Sequence, residues 1–345
     1  MGEGGGQILR TSLTLSCVLG EPFRMINIRA GREKPGLRPQ HLTGLRAAAE
    51  ICDATVGGGG VGSTEITFEP HKARAGSYCY EVGTAGSVSL VLHTILLPLA
   101  LSGEENRVKI EGGTHVSASP PFEHLDSCWI PAMKGMNLQA VLDMQRAGYY
   151  PKGGGKIDVK IAPSAGIGPV EWSERGGLRR LTVRAAVSNL PDGIAERIIS
   201  RSRRHAREAG ISKEKVREEI FRPPAIAEGA YFFLLAEFEP VGAIPAPPAG
   251  FVSLGRKGKR AETLADEAWA DLAAFLKTNA AIEPHLADQA LLPLSLAGGA
   301  SRYSTSSVTE HLLTNAQAIK NFGAAHIEIT GNKGEPGLVH VQPAR

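Results

Sequence analysis

Apolar runs in this chain are repeatedly cut off by glycine. "LTLSCVLG", "LPLALSG" and "LPLSLAG" end at Gly20, Gly103 and Gly298. Each reads as an apolar helix stopped by the residue that adopts the left-handed cap most easily. Each is followed by a more polar helix that opens with His-Leu: "QHLTGLRAAAEI" at His41, "EHLDSCWIPAMKGM" at His124 and "EHLLTNAQAIKNF" at His311. The spacing from glycine to histidine is 21 residues in the first two cases and 13 in the third. Period-2 segments such as "FRMINIRAG", "STEITFEP", "YCYEVG" and "NRVKIEGG" predict strands between and after these helices.

The histidines also report on organisation. His41 and His124 are 83 residues apart, whereas His124 and His311 are 187 apart, an excess of 104. The pattern predicts three similar units with a domain-sized insertion before the third. The insertion runs from about 178 to 278, which divides the chain into a large domain of 1–177 and 279–345 and a small domain of 178–278. Within it "LRRLTVRAAV" and "AYFFLLAEFE" predict strands. "DGIAERIISRSRRHAREAG" and "AETLADEAWADLAAFLKTN" predict helices, and "PVGAIPAPPAG" a surface loop. Helices alternating with strands imply an α/β (α+β) protein of helices layered on sheets.

Composition narrows the class. The 345 residues are 42% hydrophobic with a net charge of +3, which suits a globular protein and permits a nucleic-acid partner without requiring one. The four cysteines form no CxxC pair and no zinc-type spacing, so they read as free thiols of a reducing compartment. No signal peptide opens the chain, and the longest apolar run, "VSLVLHTILLPLALSG", is short for a membrane span. A cytoplasmic enzyme or binding protein with no membrane segment is expected.

Several stretches are able to carry chemistry. "GEGGGQ" leads straight into a helix, and backbone amides at such a junction favour anions. It lacks the Gly-Lys-Ser/Thr of a Walker loop, and Glu3 is its one carboxylate, an oxygen donor suited to a divalent metal. Residues 24–46 hold Arg24, Arg29, Arg32, Lys34, Arg38 and Arg46 against a single acid, Glu33, which suits phosphate as well as an ordinary basic surface. "RIISRSRRHAREAG" reads as a solvated helix face, with RNA contact as the alternative. "PKGGGK" reads as a hairpin turn, and "GGTH" (112–115) as a structural turn or a site. A first-turn histidine sits where the positive helix end disfavours imidazolium and attracts phosphate, so a neutral, nucleophilic ring is expected there. His41, His124 and His311 share that position, and nothing local chooses among them.

"GEGGGQILR", "IRAGREKPGLRPQHLTGLRAAAEI", "GTAGSVSLVLHTILLPLAL", "GGTHVSASPP", "GYYPKGGG" and "HLADQALLPLSLAGG" followed by "TEHLLTNAQAI" together resemble the RNA 3′-terminal phosphate cyclase family over nearly the whole chain. The resemblance implies three repeated βαβαββ-type units with a small inserted thioredoxin-like domain. It implies ATP-dependent conversion of an RNA 3′-phosphate to a 2′,3′-cyclic phosphate, through a histidyl-AMP and an RNA adenylate. The nucleophile of the "HLLTN" motif maps to His311. By the same resemblance His93, His285, Asp288 and Gln289 would line the nucleotide, and Arg10, Arg29, Arg32, Gln40 and His41 the phosphate and RNA end. Glu3 would help hold magnesium or manganese.

Two departures from the family pattern stand out. His93 occupies a position where glutamine is expected, which bears on nucleotide affinity and pH dependence. The chain also starts at the glycines, where relatives carry a short strand. Two rivals come from other classes. One is a non-catalytic RNA-binding or ribosome-assembly protein on the same scaffold, which lacks the nucleophilic histidine. The other is a sugar enolpyruvyl transferase, also built of βαβαββ repeats but longer and without "HLLTN".

Overall fold

The computed structural model describes residues 6–344. The first unit opens with α1 (Gln7–Leu19), which buries Leu9 and Leu13 one turn apart and stops at Gly20. Gly20 has a φ of 71°, and its N–H returns to the carbonyl of Ser16, as a glycine stop requires. β1 (Phe23–Met25), α2 (Pro39–Cys52), β2 (Thr55–Gly57) and β3 (Ile66–Glu69) follow. The strands form an antiparallel sheet in the order β1-β3-β2. Of the expected strand "FRMINIRAG" only Phe23–Met25 pairs, because the chain turns away at Asn27 and Arg29, both with φ of 55°.

The second unit contains β4 (Ser77–Glu81), α3 (Val88–Ala100), β5 (Asn106–Gly112), α4 (Phe122–His124), α5 (Ile130–Gly135), β6 (Ala140–Arg146) and β7 (Gly155–Ile161). The expected His124 helix is present but widens into a π-turn over Leu125–Trp129, joining α4 to α5. Pro131 offers no N–H to continue the ladder, and the Ile130 N–H reaches back to Leu125. The sheet order is β4-β5-β7-β6, with β4 and β5 parallel and the rest antiparallel. The turn holding "PKGGGK" lies between β6 and β7, in the hairpin expected there.

The third unit begins at β8 (Glu171–Trp172). The insertion therefore falls inside this unit, after its first strand, and not before it. It contributes β9 (Leu178–Ser188), α6 (Gly193–Glu208), β10 (Val216–Phe221), β11 (Gly229–Phe238), β12 (Ala249–Leu254) and α7 (Ala261–Leu276). β10 and β12 go beyond the two strands expected, and β12 begins inside the "PAG" assigned to loop. The order β10-β9-β11-β12, parallel then twice antiparallel, is a thioredoxin-like arrangement. The unit resumes with α8 (Pro284–Leu294), β13 (Ser301–Thr305), α9 (Glu310–Asn321), β14 (Ala325–Thr330) and β15 (Gly337–Pro343). Its sheet, β8-β13-β15-β14, repeats the second unit's topology, down to the parallel first pair. Among the described residues the first unit lacks only the counterpart of β4 and β8.

One core joins the three units, and α1 packs on α2, α3 and α9 at its centre. A second core lies between the insertion's sheet and its helices α6 and α7. β11 serves both by alternation. Ala230, Phe232, Leu234 and Ala236 face the second core, while Tyr231 and Phe233 pack into the first. That two-sided burial is why "AYFFLLA", the start of "AYFFLLAEFE", is unbroken by charge. The arginines of α6 are largely committed to acids: Arg197 to Glu262, Arg201 to Asp266, Arg203 to Glu218 and Arg204 to Glu208. No helix among the described residues is long and apolar enough to cross a membrane.

Candidate functional site

The three equivalent histidines have different surroundings. His124 is 3% exposed and bonds Glu283, and His41 is 7% exposed and accepts the Arg38 N–H at Nδ1 (3.2 Å). His311 is exposed. Thr309 caps α9 by accepting the Leu312 N–H, which sets His311 in the first turn. His311 Nδ1 lies 2.7 Å from Oε1 of Gln7. An amide oxygen only accepts, so Nδ1 donates and the lone pair of the neutral ring is on Nε2.

Gln7 begins α1, and the residues beside it explain the glycine just before it, Gly6. A Cβ on Gly6 would stand 2.3 Å from His41 Nε2 and 3.1 Å from a guanidinium nitrogen of Arg10, so only glycine lets these groups meet. Burial, with the charges of Arg10, Arg29 and Arg38, drives His41 down to about 4. His41 is therefore neutral at pH 7. Because its Nδ1 accepts from Arg38, its proton is on Nε2, directed at the start of α1. Burial lowers Arg10 to about 10 against the opposing pull of Asp288, so unlike His41 it remains charged at neutral pH. A helix N-terminus, a guanidinium and an imidazole N–H thus converge on one point, the donor set of a phosphate site.

Behind that point lies a cavity of about 60 Å³. Its walls come from all three units: Gln7, Arg10, Thr11 and Thr14 of α1; His93 and Leu97 of α3; Trp129 and Met133; Asp288, Gln289, Leu292 and Pro293 of α8; and Asn315 of α9. His93 packs on the Trp129 ring at 4.3 Å between centroids. Its Nε2 and the Oε1 of Gln289 are buried with no hydrogen-bond partner among the described residues. Orphaned polar atoms on an open cavity wall are what a polar ligand would satisfy. Burial raises Asp288 to about 7, with Glu283 adding to the rise and His285 and Arg10 opposing it.

The other expected site residues are distributed around this centre. Gln40 accepts the Ser87 N–H through Oε1 (3.2 Å) and lines a small second pocket with His41 and Arg10. Arg29 donates to the carbonyls of Lys34 and Gly36, so it also shapes its own loop. Arg32 is exposed on that loop. His285 is exposed in the first turn of α8 and is not among the residues lining the 60 Å³ cavity. Arg24 pairs with Glu65 on the surface, outside the site. Glu3 lies outside the described residues.

Asn315 had no assigned role in the sequence. Its side chain accepts from Thr11 (2.6 Å) and donates to the Asp288 carbonyl (2.8 Å), tying α1, α8 and α9 together. A clue was its place in "HLLTN", one turn past His311 on the same helix face. His115 of "GGTH" is structural: buried, bonded to Glu123 (2.6 Å) and stacked on Tyr231 of the insertion.

Burial drives His93 down to about 3, aided by the charges of Arg10 and His124. A histidine whose folded value is depressed stabilises the fold above its unfolded pKa and withdraws that contribution as the pH falls below it. At pH 5 the unfolded ring is protonated and the folded one is not, which costs about 2 kcal/mol relative to pH 7. The ligand-free protein should therefore lose thermal stability between pH 7 and pH 5. His93→Gln should lose about that much less over the same interval, as followed by calorimetry. An identical pH slope in the variant would contradict this.

Comparison with known proteins adds to this geometry. The family model described as RNA 3′-terminal phosphate cyclase matches residues 1–329. The chain is 42% identical to the RNA 3′-terminal phosphate cyclase of Gloeothece citriformis, with 99% of this chain and 96% of the relative aligned. It is 42% identical to that of Nostoc punctiforme, over 95% of this chain and 94% of the relative. It is 38% identical to that of the archaeon Archaeoglobus fulgidus, over 96% of each.

Proposed function

This chain belongs to the RNA 3′-terminal phosphate cyclase family, and from that premise we propose that it uses ATP to cyclise RNA 3′-phosphate ends, with His311 as the nucleophile. The observation that carries the reading is the exposed His311 ring, held through Nδ1 by Gln7 beside a cavity walled by helices of all three units and a phosphate-suited cluster of donors.

The steps follow from these groups. The Nε2 lone pair of His311 attacks the α-phosphorus of ATP, an N–P bond forms, and pyrophosphate leaves with the electrons of the broken P–O bond. An oxygen of the RNA 3′-phosphate then attacks the same phosphorus. The N–P bond breaks, and AMP passes to the RNA. Last, the neighbouring 2′-OH attacks the activated RNA phosphate, losing its proton and expelling AMP to leave the 2′,3′-cyclic phosphate. Arg10 and the start of α1 stabilise charge on the transferring phosphate. His41, Gln40, Arg29 and Arg32 receive the RNA end. His93, Asp288 and Gln289 hold the nucleotide, with His285 at its edge.

A divalent cation fits the donors present. The Asp288 carboxyl and the Gln289 oxygen, which has no partner among the described residues, are hard ligands suited to magnesium or manganese, and Glu3, outside the described residues, is the carboxylate that the family resemblance assigns to the metal. The cation would neutralise triphosphate charge. A reducing, cytoplasmic setting is in keeping with four free thiols.

Residues 178–278 are proposed as a domain of their own, supported by their separate core and complete sheet. Expressed alone, this fragment should fold cooperatively. It should also self-associate, because Tyr231 and Phe233 lose their cover. An unfolded fragment in circular dichroism would defeat the assignment.

The test of function is to incubate the purified protein with ATP labelled at the α-phosphate, a divalent metal and 3′-phosphorylated RNA. Label on His311 and a cyclic end on the RNA are expected. A protein that takes up no AMP yet binds RNA would favour the non-catalytic alternative.

A further inference from the structure

The three units close into a ring at their helix ends. The first turn of each unit's second helix docks on the start of the next unit's first helix. From the first unit to the second, Gln40 accepts the N–H of Ser87, the cap of α3. From the third to the first, His311 meets Gln7 at the start of α1. From the second to the third, His124 Nε2 lies 2.8 Å from Glu283 Oε1, and Glu283 is the cap of α8. The first turn of the second helix is thus used at all three junctions, through the repeat histidine at two of them and through Gln40, the neighbour of His41, at the third, and the His124 junction is sealed, with Glu283 only 1% exposed.

The sealed junction bears on the open one through α8. The Glu283 carboxylate accepts the N–H groups of His285 and Leu286, each at 2.7 Å, so it fixes the first turn of that helix. One turn further on, Asp288 and Gln289 enter the cavity. Burial would push the Glu283 carboxyl up, but His124 and the helix N–H groups hold it below the ordinary range, so it acts as a charged acceptor. Simple packing does not explain this arrangement. An apolar pair would fill the space without burying a carboxylate, or an imidazole whose Nδ1 has no partner among the described residues. What the pair adds is direction.

We propose that His124 is a positioning residue for the nucleotide: through Glu283 it sets where α8 presents Asp288 and Gln289 to the cavity. His124 does not line that cavity itself. The inference rests on reading the cavity as the ATP site.

The experiment compares full-length wild type with His124→Phe, which keeps a ring of similar size without a donor, and His124→Gln, whose amide N–H reaches about where Nε2–H does. AMP attachment is followed against ATP concentration. In His124→Phe the KM for ATP should rise about tenfold, in line with the loss of one hydrogen bond to a charged group. The rate at saturating ATP should stay within about threefold. His124→Gln should return KM close to wild type, which a purely structural role would not produce. Wild-type KM in His124→Phe, or equal impairment in both variants, overturns the proposal. Should His124→Phe fail to fold, Glu283→Gln replaces it. That variant keeps one uncharged oxygen for the Leu286 N–H and His124 and gives up the oxygen that accepts from the His285 N–H, so unchanged KM there is equally fatal. A wild type that takes no AMP removes the nucleotide reading and this inference together. A labelled wild type beside an unaltered variant removes the inference alone.

Discussion

His311→Ala is expected to lose AMP attachment and ATP-driven cyclisation by about 10⁴-fold or more, since a covalent nucleophile has no substitute in its own site. In the wild type the label should sit in a phosphoramidate, stable in alkali and released by acid. His311→Asn should fail equally, because an amide nitrogen has no usable lone pair. His41→Ala and His124→Ala change the matching positions of the other two units. Both should still take the label at saturating ATP, His41→Ala more slowly if the RNA or triphosphate binds less well. These positions have the same local sequence context but different burial: His41 and His124 are enclosed and His311 is exposed. Mapping AMP to His41 or His124, or full labelling of His311→Ala, would refute the assignment.

The second large effect is expected at Arg10. It borders both the main cavity and the small pocket of His41 and Gln40, so in the proposed function one cation would serve both the nucleotide and the RNA end. Its charge persists at neutral pH despite burial. Arg10→Ala should lower kcat/KM for cyclisation by about 10²- to 10³-fold, the scale set by losing an electrostatic donor to a transferring group. Arg10→Lys should recover only part, since an ammonium lacks the paired donors of guanidinium. Arg29→Ala and Arg32→Ala should act more mildly, raising KM for 3′-phosphorylated RNA without affecting AMP attachment. Of these two, Arg29→Ala should also cost some stability, because Arg29 tethers the Lys34 and Gly36 carbonyls of its loop. An Arg10→Ala protein with wild-type kcat/KM would remove this residue from the reaction.

Some features needed only a short window of sequence. The helix of residues 7–19 follows from its apolar spacing and glycine stop, and the cap of α9 from Thr309 just ahead of it. The strand at residues 229–238 followed from the apolar run at 230–236, although the reason for that run, burial against two different cores, was not local. Where windows failed, the backbone departed from its regular pattern at single residues. β1 ends early because the loop behind it turns through Asn27 and Arg29. The π-turn before Pro131 changes the pitch of the His124 helix and brings Trp129 onto His93.

By itself the sequence determined the three-fold grammar of helix, glycine stop and His-Leu helix, the size of the insertion and the short list of candidate histidines. Capping, periodicity and glycine stops act over one or two helical turns, so they are written in adjacent residues. The tertiary structure alone decided which histidine stands open, that the insertion interrupts the third unit after its first strand, and how the 60 Å³ cavity is walled. Those outcomes rest on groups far apart in the chain. Gln7 and His311, 304 residues apart, meet at 2.7 Å, and His124 and Glu283, 159 apart, meet at 2.8 Å. Contacts of that range form only when the core shared by the three units brings their helix ends together, and no local pattern encodes which end is buried and which is left facing solvent.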